Sequence, residues 1–477
     1  DGIRDLDSCL VGSERCIRDS RDTEQNLPRQ PVSEAFPERL DRRALVTGRL
    51  VGGDELQNVT VFDRGFLGQT GGFTYHLAFI RRRQPVSLSV SPRMARVKPS
   101  PTGAVLARVS ELRAQGRDII SLGAGEPDFD TPPHIRDAAV AAIAGGQTRY
   151  TPIDGTAELK TAVQAKFRRD NNLDYEAAQI IVTSGGKQAL FNLCMALLGP
   201  GDEAIIPAPC WVSYPDMVRL AEAEPVMVAT GIEQDFKVTP AQLQAHLTDR
   251  TRLLVLNSPG NPTGASYTRE ELAALGAVLD RYPDVVIVSD DIYEHIYWAK
   301  QPFVSFATAC PALYDRTVTV NGVSKAYAMT GWRIGYAGGP AALISAMKTV
   351  QSQSTSNPCS VSQAAAQAAL DGDQGPVREM CAAYRARHDY IVAALNAIPG
   401  IQCRPGEGAF YAFPRVQDAV ERLGLADDTA LAEKLINEAG IACVPGAAFR
   451  APGYLRISFA SAQDQLEEAI ARIGRLL

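Results

Sequence analysis

Residues 321–333 read NGVSKAYAMTGWR, and this stretch decides the fold. It follows the apolar run 318–320 and so begins where a short buried strand ends. It places Lys325 among small neighbours (Gly322, Val323, Ser324, Ala326) and Arg333 eight positions further on. A lysine amine condenses with an aldehyde cofactor as a Schiff base. An arginine fork holds a phosphate. A surface lysine is the commoner fate of the residue type, but the small flanks and the strand-end position weigh against it here.

Three more segments share this layout: TSGGK at 183–187, NSPGNPTG at 257–264 and SDDIYEH at 289–295. Each places polar chemistry just past an apolar run. Short β-rich runs recur at 180–183, 204–206, 226–228, 253–256, 285–288 and 318–320, with helical patterns between several of them, as at 187–198 and 269–279. Buried strands alternating with helices predict an α/β fold whose mostly parallel sheet is covered on both faces. Ligands of such sheets bind beyond the carboxyl ends of the strands, so the four loops are expected to converge on one edge. Together they describe a pyridoxal phosphate site.

The pattern changes after about residue 375. A long polar helix at 377–395 leads to GAFYAF at 408–413, then a helix near 429–438 and the strand-like YLRISF at 454–459. A helix is also expected over 105–116, from Val105, Leu106, Val109 and Leu112. The expected division is a large domain at 133–375 and a smaller α+β domain built from 94–132 and 376–477.

Residues 1–93 differ from the rest. They hold fourteen Arg, no Lys and no Met, and no sustained helical or strand period runs through them. An accessory domain, a targeting extension and translated upstream sequence joined to a start at Met94 compete here. The abrupt change in Lys and Met usage favours the third, and poor order without catalytic residues is expected. The many Asp and Glu argue against a transit peptide.

Bulk composition narrows the function classes. Of 477 residues, 45% are hydrophobic and 21% charged, which is ordinary for a globular protein. A net charge of −6 gives no basic excess for nucleic acid or an anionic membrane. No apolar run approaches the roughly 20 residues that cross a bilayer. Nine dispersed cysteines without CxxC pairs read as reduced thiols. With no signal-peptide pattern, the expected compartment is the cytoplasm. No two histidines sit at metal-ligand spacing, so no metal is expected.

Each candidate residue carries a bland alternative. Asp290 ends a strand, and its carboxylate suits a pyridinium nitrogen or, more blandly, a helix N-cap. Asp291 beside it is expected to be the solvated one. Tyr293 suits a phenolic oxygen or the core. The amides of Gly186 and Lys187, at a helix N-terminus, suit a phosphate, with Ser324 adding a hydroxyl. Asn261 reads as a turn residue alone and as a ligand to cofactor oxygen and substrate carboxylate in company. Trp211 is large enough to stack on a pyridine ring, with a structural tryptophan as competitor. Arg456, in the apolar LRI at 455–457, needs a partner: a substrate carboxylate or an internal salt bridge.

The segments GAGEPDFDTP (123–132), SGGKQAL (184–190), WVSYP (211–215) and SKAYAMTGWRIGY (324–336) resemble the class I aminotransferases among the fold-type I pyridoxal phosphate enzymes. The resemblance spans about 88–477 and is strongest to bacterial aspartate aminotransferases of the subgroup that includes prephenate aminotransferases. It implies a seven-stranded sheet and transfer of the amino group of L-aspartate to 2-oxoglutarate. Lys325 would form the Schiff base, Asp290 would meet the pyridinium, and Tyr293 and Asn261 the phenolic oxygen. Arg333 would hold the phosphate, Arg456 the α-carboxylate, Gly125 a backbone contact to substrate and Lys187 the distal carboxylate of a dicarboxylic substrate. Tyr150 would reach the phosphate of a neighbouring subunit, which implies a homodimer. Two departures are Asp291, where relatives usually carry Glu, and Cys210, where tyrosine is common. Prephenate and other amino donors remain alternatives. A pyridoxal-binding transcription regulator would need a basic helix-turn-helix before Met94, and none is read there.

Overall fold

The computed structural model describes residues 46–49, 58–61 and 88–477. In the first unit of the chain, β1 (Val46–Arg49) pairs antiparallel with β2 (Asn58–Val61), Val46 opposite Val61. Four residues each, VTGR and NVTV, are too short to show a period in sequence. The other expectations for 1–87 fall on residues outside the described ones.

The second unit, Ser89–Leu477, holds the remaining strands. In chain order they are β3 (Ile120–Ser121), β4 (Ile180–Thr183), β5 (Glu203–Ala208), β6 (Glu224–Ala229), β7 (Thr251–Asn257), β8 (Val286–Asp290), β9 (Thr317–Gly322), β10 (Gly335–Gly338), β11 (Tyr411–Ala412), β12 (Ile441–Ala442), β13 (Val444–Pro445) and β14 (Leu455–Ser458). Seven of them form one sheet in the order β4-β10-β9-β8-β7-β5-β6. All neighbours run parallel except at β10, which is antiparallel to both β4 and β9. Two reversals cancel, so β4 points the same way as β5 to β9.

The strands read as unbroken apolar runs because both faces of the sheet are buried. Successive residues alternate between layers. Ile181, Ala204, Ile206, Leu253, Val255 and Val288 pack on one face with Leu193, Val218 and Ile344. Ile205, Leu254, Leu256 and Ile287 pack on the other with Leu275 and Phe306. Ile180 and Val182 join Phe167 and Leu159 on that second face. Helix Arg269–Leu279 starts where Thr268 and Glu271 form a capping box, which satisfies two of its free N–H groups.

Strand β10 is absent from the sequence reading for a physical reason. Three of its four residues, the glycines and the alanine of GYAG, are poor strand formers. The glycines are there because backbones touch: a Cβ on Gly335 would fall 2.2 Å from the Gly186 nitrogen, and one on Gly338 would fall 2.5 Å from the Tyr175 ring.

The remaining elements tie the two ends of this unit together. β3 pairs parallel with β12, Ile120 opposite Ile441, and Ser458 N donates to Leu122 O. β11, β14 and β13 form a small antiparallel sheet over the long helix Gly375–Asn396. Among the described residues, no helix is long and apolar enough to cross a membrane.

Candidate active site

Because β4 to β9 share one direction, their carboxyl-end loops meet. A cavity of about 450 Å³ opens there. It is bordered by Gly125, Gly186, Lys187, Trp211, Asn261, Asp290, Tyr293, Ser324, Lys325, Arg333 and Arg456, all put forward from sequence. Tyr150 does not border it and is 91% exposed in the single chain.

Lys325 sits in the loop after β9, and its Nζ donates to the carbonyl of Gly125. Burial lowers its pKa to about 8, with Arg456 adding repulsion. The amine is therefore partly free of its proton near neutral pH, the state in which it is a nucleophile. Asp290 closes β8, and Tyr214 donates to its Oδ2 at 2.6 Å. Burial raises its pKa to about 6, and the Tyr214 bond and the Lys325 charge partly offset that. Its Oδ1 accepts from Ile292 N at 3.3 Å, but the chain then runs through turns to Phe306–Ala309, so there is no helix here for Asp290 to cap.

Arg456, on β14, is buried with no carboxylate beside it among the described residues. Its guanidinium donates to Asn261 Oδ1 at 3.0 Å and to Gly123 O at 2.7 Å, and Nε has no partner. It also lies over the Tyr411 ring, 4.6 Å from the centroid. The internal salt bridge that the sequence left open does not form. The bond from Arg456 fixes the Asn261 amide with its oxygen toward the arginine. Its NH₂ is left without an acceptor in the cavity wall. Tyr293 is buried and shares a 2.8 Å hydrogen bond with Tyr411.

The loop after β4 presents an anion cradle. Gly185 has φ of 87° and no side chain to cap the helix Gly186–Leu197. The N–H groups of Gly186 and Lys187 are thus open at a positive helix end. Arg333 lies against this turn: a Cβ on Gly185 would meet its guanidinium at 2.5 Å. Lys187 Nζ sits 4.9 Å from the Trp211 ring centroid, and burial followed by Arg333 lowers its pKa. Four cations (Lys187, Lys325, Arg333, Arg456) border the cavity against two carboxylates, Glu126 and Asp290. That surplus suits a ligand with several negative charges.

These residues fit pyridoxal phosphate. A low-pKa amine, a buried carboxyl, open N–H groups beside an arginine and an unpaired buried guanidinium are the donors such a cofactor and its substrate require.

One sequence expectation fails. Asp291 is fully buried, not solvated, and points away from the cavity with Ser289 donating to it at 2.6 Å. Sequence alone also passed over Tyr214, Tyr411 and Asn257. Tyr214 lies three residues after Trp211, one helical turn on, which was a usable signal. Asn257 supports the Asp290 strand end by donating to its carbonyl at 2.8 Å. Cys210 is buried and its N–H donates to Phe449 O at 3.1 Å.

Residues 117–473 match the family model described as aminotransferase class I and II. The chain is 54% identical over 396 residues to the aspartate/prephenate aminotransferase of Nitrosomonas europaea, covering 82% of this chain and 100% of that one. It is 54% identical over 389 residues to the protein of the same name from Cereibacter sphaeroides, covering 80% and 97%. Among solved structures it resembles the aspartate aminotransferase of Rhizobium meliloti with a TM-score of 0.78 at 46% identity, covering 81% and 98%. It also resembles that of Thermus thermophilus with maleate, with a TM-score of 0.78 at 44% identity, covering 82% and 100%.

Proposed function

Because this chain belongs to the class I and II aminotransferases, which depend on pyridoxal 5′-phosphate, we propose that it moves the amino group of L-aspartate to 2-oxoglutarate in two half-reactions. The observation that carries the reading is the set of four cations around one cavity, without a salt-bridge partner among the described residues, with Arg456 on β14 and Lys187 in the helix Gly186–Leu197. A dicarboxylic amino acid has one carboxylate for each.

Bound pyridoxal phosphate supplies an aldehyde that takes up an amine and a ring that accepts the electrons left when the substrate α-proton departs. The chain's residues do the rest. Lys325 Nζ would hold the aldehyde and carry the α-proton. Asp290 would keep the ring nitrogen protonated. Tyr293 Oη and the Asn261 NH₂ would donate to the phenolic oxygen. Gly186 N, Lys187 N, Ser324 Oγ and Arg333 would hold the phosphate, and Trp211 would pack against the ring. Arg456 grips the α-carboxylate by its fork, beside the Gly125 backbone. Lys187 Nζ takes the distal carboxylate. Tyr150, exposed in one chain, reaches the phosphate of a second copy in a homodimer. The body divides into a large domain at 133–375 and a small one from 94–132 and 376–477, and the enzyme works in the cytoplasm.

Prephenate is the second reading, since the similar proteins of N. europaea and C. sphaeroides carry both substrates in their names. Prephenate is also a dicarboxylate and meets the same two cations. A steady-state panel of aspartate, glutamate, alanine and phenylalanine as donors, with 2-oxoglutarate and prephenate as acceptors, separates the readings. Lys187→Ala should lower kcat/KM for aspartate about a hundredfold, the cost of losing one charge-assisted bond. It should change kcat/KM for alanine or phenylalanine by less than about threefold. An equal loss for all donors would remove Lys187 from substrate selection.

A further inference from the structure

The turn after β8 has two sides. Asp290 and Tyr293 border the cavity, while Asp291 and Glu294 face a buried cluster behind it. Glu294 pairs with Lys166, whose side chain is wholly buried in helix Ala157–Asn171. Asn171 closes the arrangement: it accepts from Lys166 Nζ at 2.6 Å and donates to Glu294 Oε2 at 2.6 Å. His295 lies outside this triad, 3.4 Å from Glu294 and 3.1 Å from Asp170, and Asp170 pairs with Arg169 at 2.7 Å. Asp170, Glu294 and His295 bring ligand atoms within 4.8 Å of one another. The Lys166 ammonium already fills the Glu294 side, so the cluster carries its own cation.

A buried ion pair is an expensive way to fill space, because packed apolar residues often do as well or better. This one sits where it can do something else. Its carboxylate is one residue past Tyr293 and four past Asp290, on the opposite side of the same turn. Asn257 donates to Asp290 O at 2.8 Å, and Asp291 N to Val320 O and Glu294 N to Asp291 O, both at 2.9 Å; to these bonds the ion pair adds a side-chain anchor on the face turned away from the cavity. We propose that Lys166, Asn171 and Glu294 are positioning residues, a buried clamp that aims Asp290 and Tyr293 into the cavity from behind. This rests on the proposed contact between Asp290 and the pyridoxal ring.

Charge counting assigns a state to Asp291. Of the two buried carboxyl groups, Glu294 pairs with the Lys166 ammonium, while Asp291 has no ion pair among the described residues. Burial pushes Glu294 up, but Lys166, His295 and Asn171 more than offset it, and the net direction is down. Asp291 Oδ2 is buried with no salt-bridge partner among the described residues. Burial and then the Glu294 charge push its pKa well up, with the Ser289 and Ser305 hydroxyls offsetting part of that. The missing cation and the direction of the shift together point to a neutral Asp291. A neutral acid there spares Asp290 a second negative charge next door.

The test measures pyridoxal phosphate affinity, by fluorescence titration of the cofactor-free protein, and thermal unfolding of that same protein. Wild type is compared with Lys166→Met, the double variant Lys166→Met/Glu294→Gln, and Asp291→Asn. Lys166→Met should weaken cofactor affinity about tenfold or more, as expected for a broken buried pair. It should also shift the pH at which the bound cofactor's absorbance changes. The double variant removes both charges and guards against a fold lost to an unpaired carboxylate. It should recover Tm relative to Lys166→Met yet keep the affinity loss. Asp291→Asn should leave affinity within about twofold, since an amide replaces a neutral acid of the same shape. A folded Lys166→Met or double variant with wild-type affinity and a wild-type absorbance titration would overturn the clamp. A tenfold loss in Asp291→Asn would overturn the proton assignment. Wild type failing to bind the cofactor would instead refute the function proposed above.

Discussion

Lys325 is destabilising where it stands, and that cost is the signature of its task. Burial lowers its pKa to about 8 from an ordinary value of 10.5. The folded state then binds the proton more weakly than the unfolded state does. The cost is fully present below pH 8 and fades as pH rises from about 8 past 10.5. Lys325→Met in the cofactor-free protein should therefore be more stable than wild type at pH 7, by on the order of 2 kcal/mol after solvent screening. The gap should close on the way to pH 10.5, which denaturant titration at a series of pH values will show. At this scale every residue put forward from sequence except Tyr150 borders the cavity, most of them because their motifs follow apolar runs. The sequence reading placed Asp290 rather than Asp291 at the cavity, as found, but read Asp291 as solvated when it is buried. Adjacent residues at a strand end point opposite ways, and the register of β8 against β7 and β9 sets which way each one points.

At the scale of elements, the cavity exists because backbones come closer than side chains allow. The turn at Gly185–Gly186, proposed to hold the phosphate, packs directly on Gly335 of β10, where an added Cβ would sit 2.2 Å from a backbone nitrogen. Gly335→Ala must push that turn or β10 aside, with Arg333 attached. The expected result is a stability loss of about 3 kcal/mol and at least about tenfold weaker cofactor binding, read by thermal unfolding and fluorescence titration. An unchanged affinity would mean that the turn does not hold the phosphate. Six of the seven large-sheet strands were legible in sequence, since apolar runs buried on both faces leave a strong trace. The seventh, β10, is built of glycines chosen for contact and leaves none.

The molecule as a whole raises the question of a second copy. Tyr150 lies outside its own cavity and is 91% exposed, which is costly for a tyrosine with nothing to meet. Sedimentation equilibrium should give about twice the 51.3 kDa chain mass. In that dimer, Tyr150→Phe should weaken pyridoxal phosphate binding about three- to tenfold by removing one hydrogen bond to a charged group. A monomer of full affinity would contradict the shared site. The helix over 105–116 appears as Pro101–Ala114 and the one over 377–395 as Gly375–Asn396, so helix positions were legible and their ends less so. Fraying and local turns make ends the weakest sequence signal. The pairing of β3 with β12 joins residues over three hundred positions apart, and no local pattern announces such a contact.

All of this turns on one amine. Holoprotein reduced with borohydride and mapped by peptide mass spectrometry should carry a phosphopyridoxyl group on Lys325 and on no other lysine. A label on Lys187 or another lysine, or no label at all, would contradict the account.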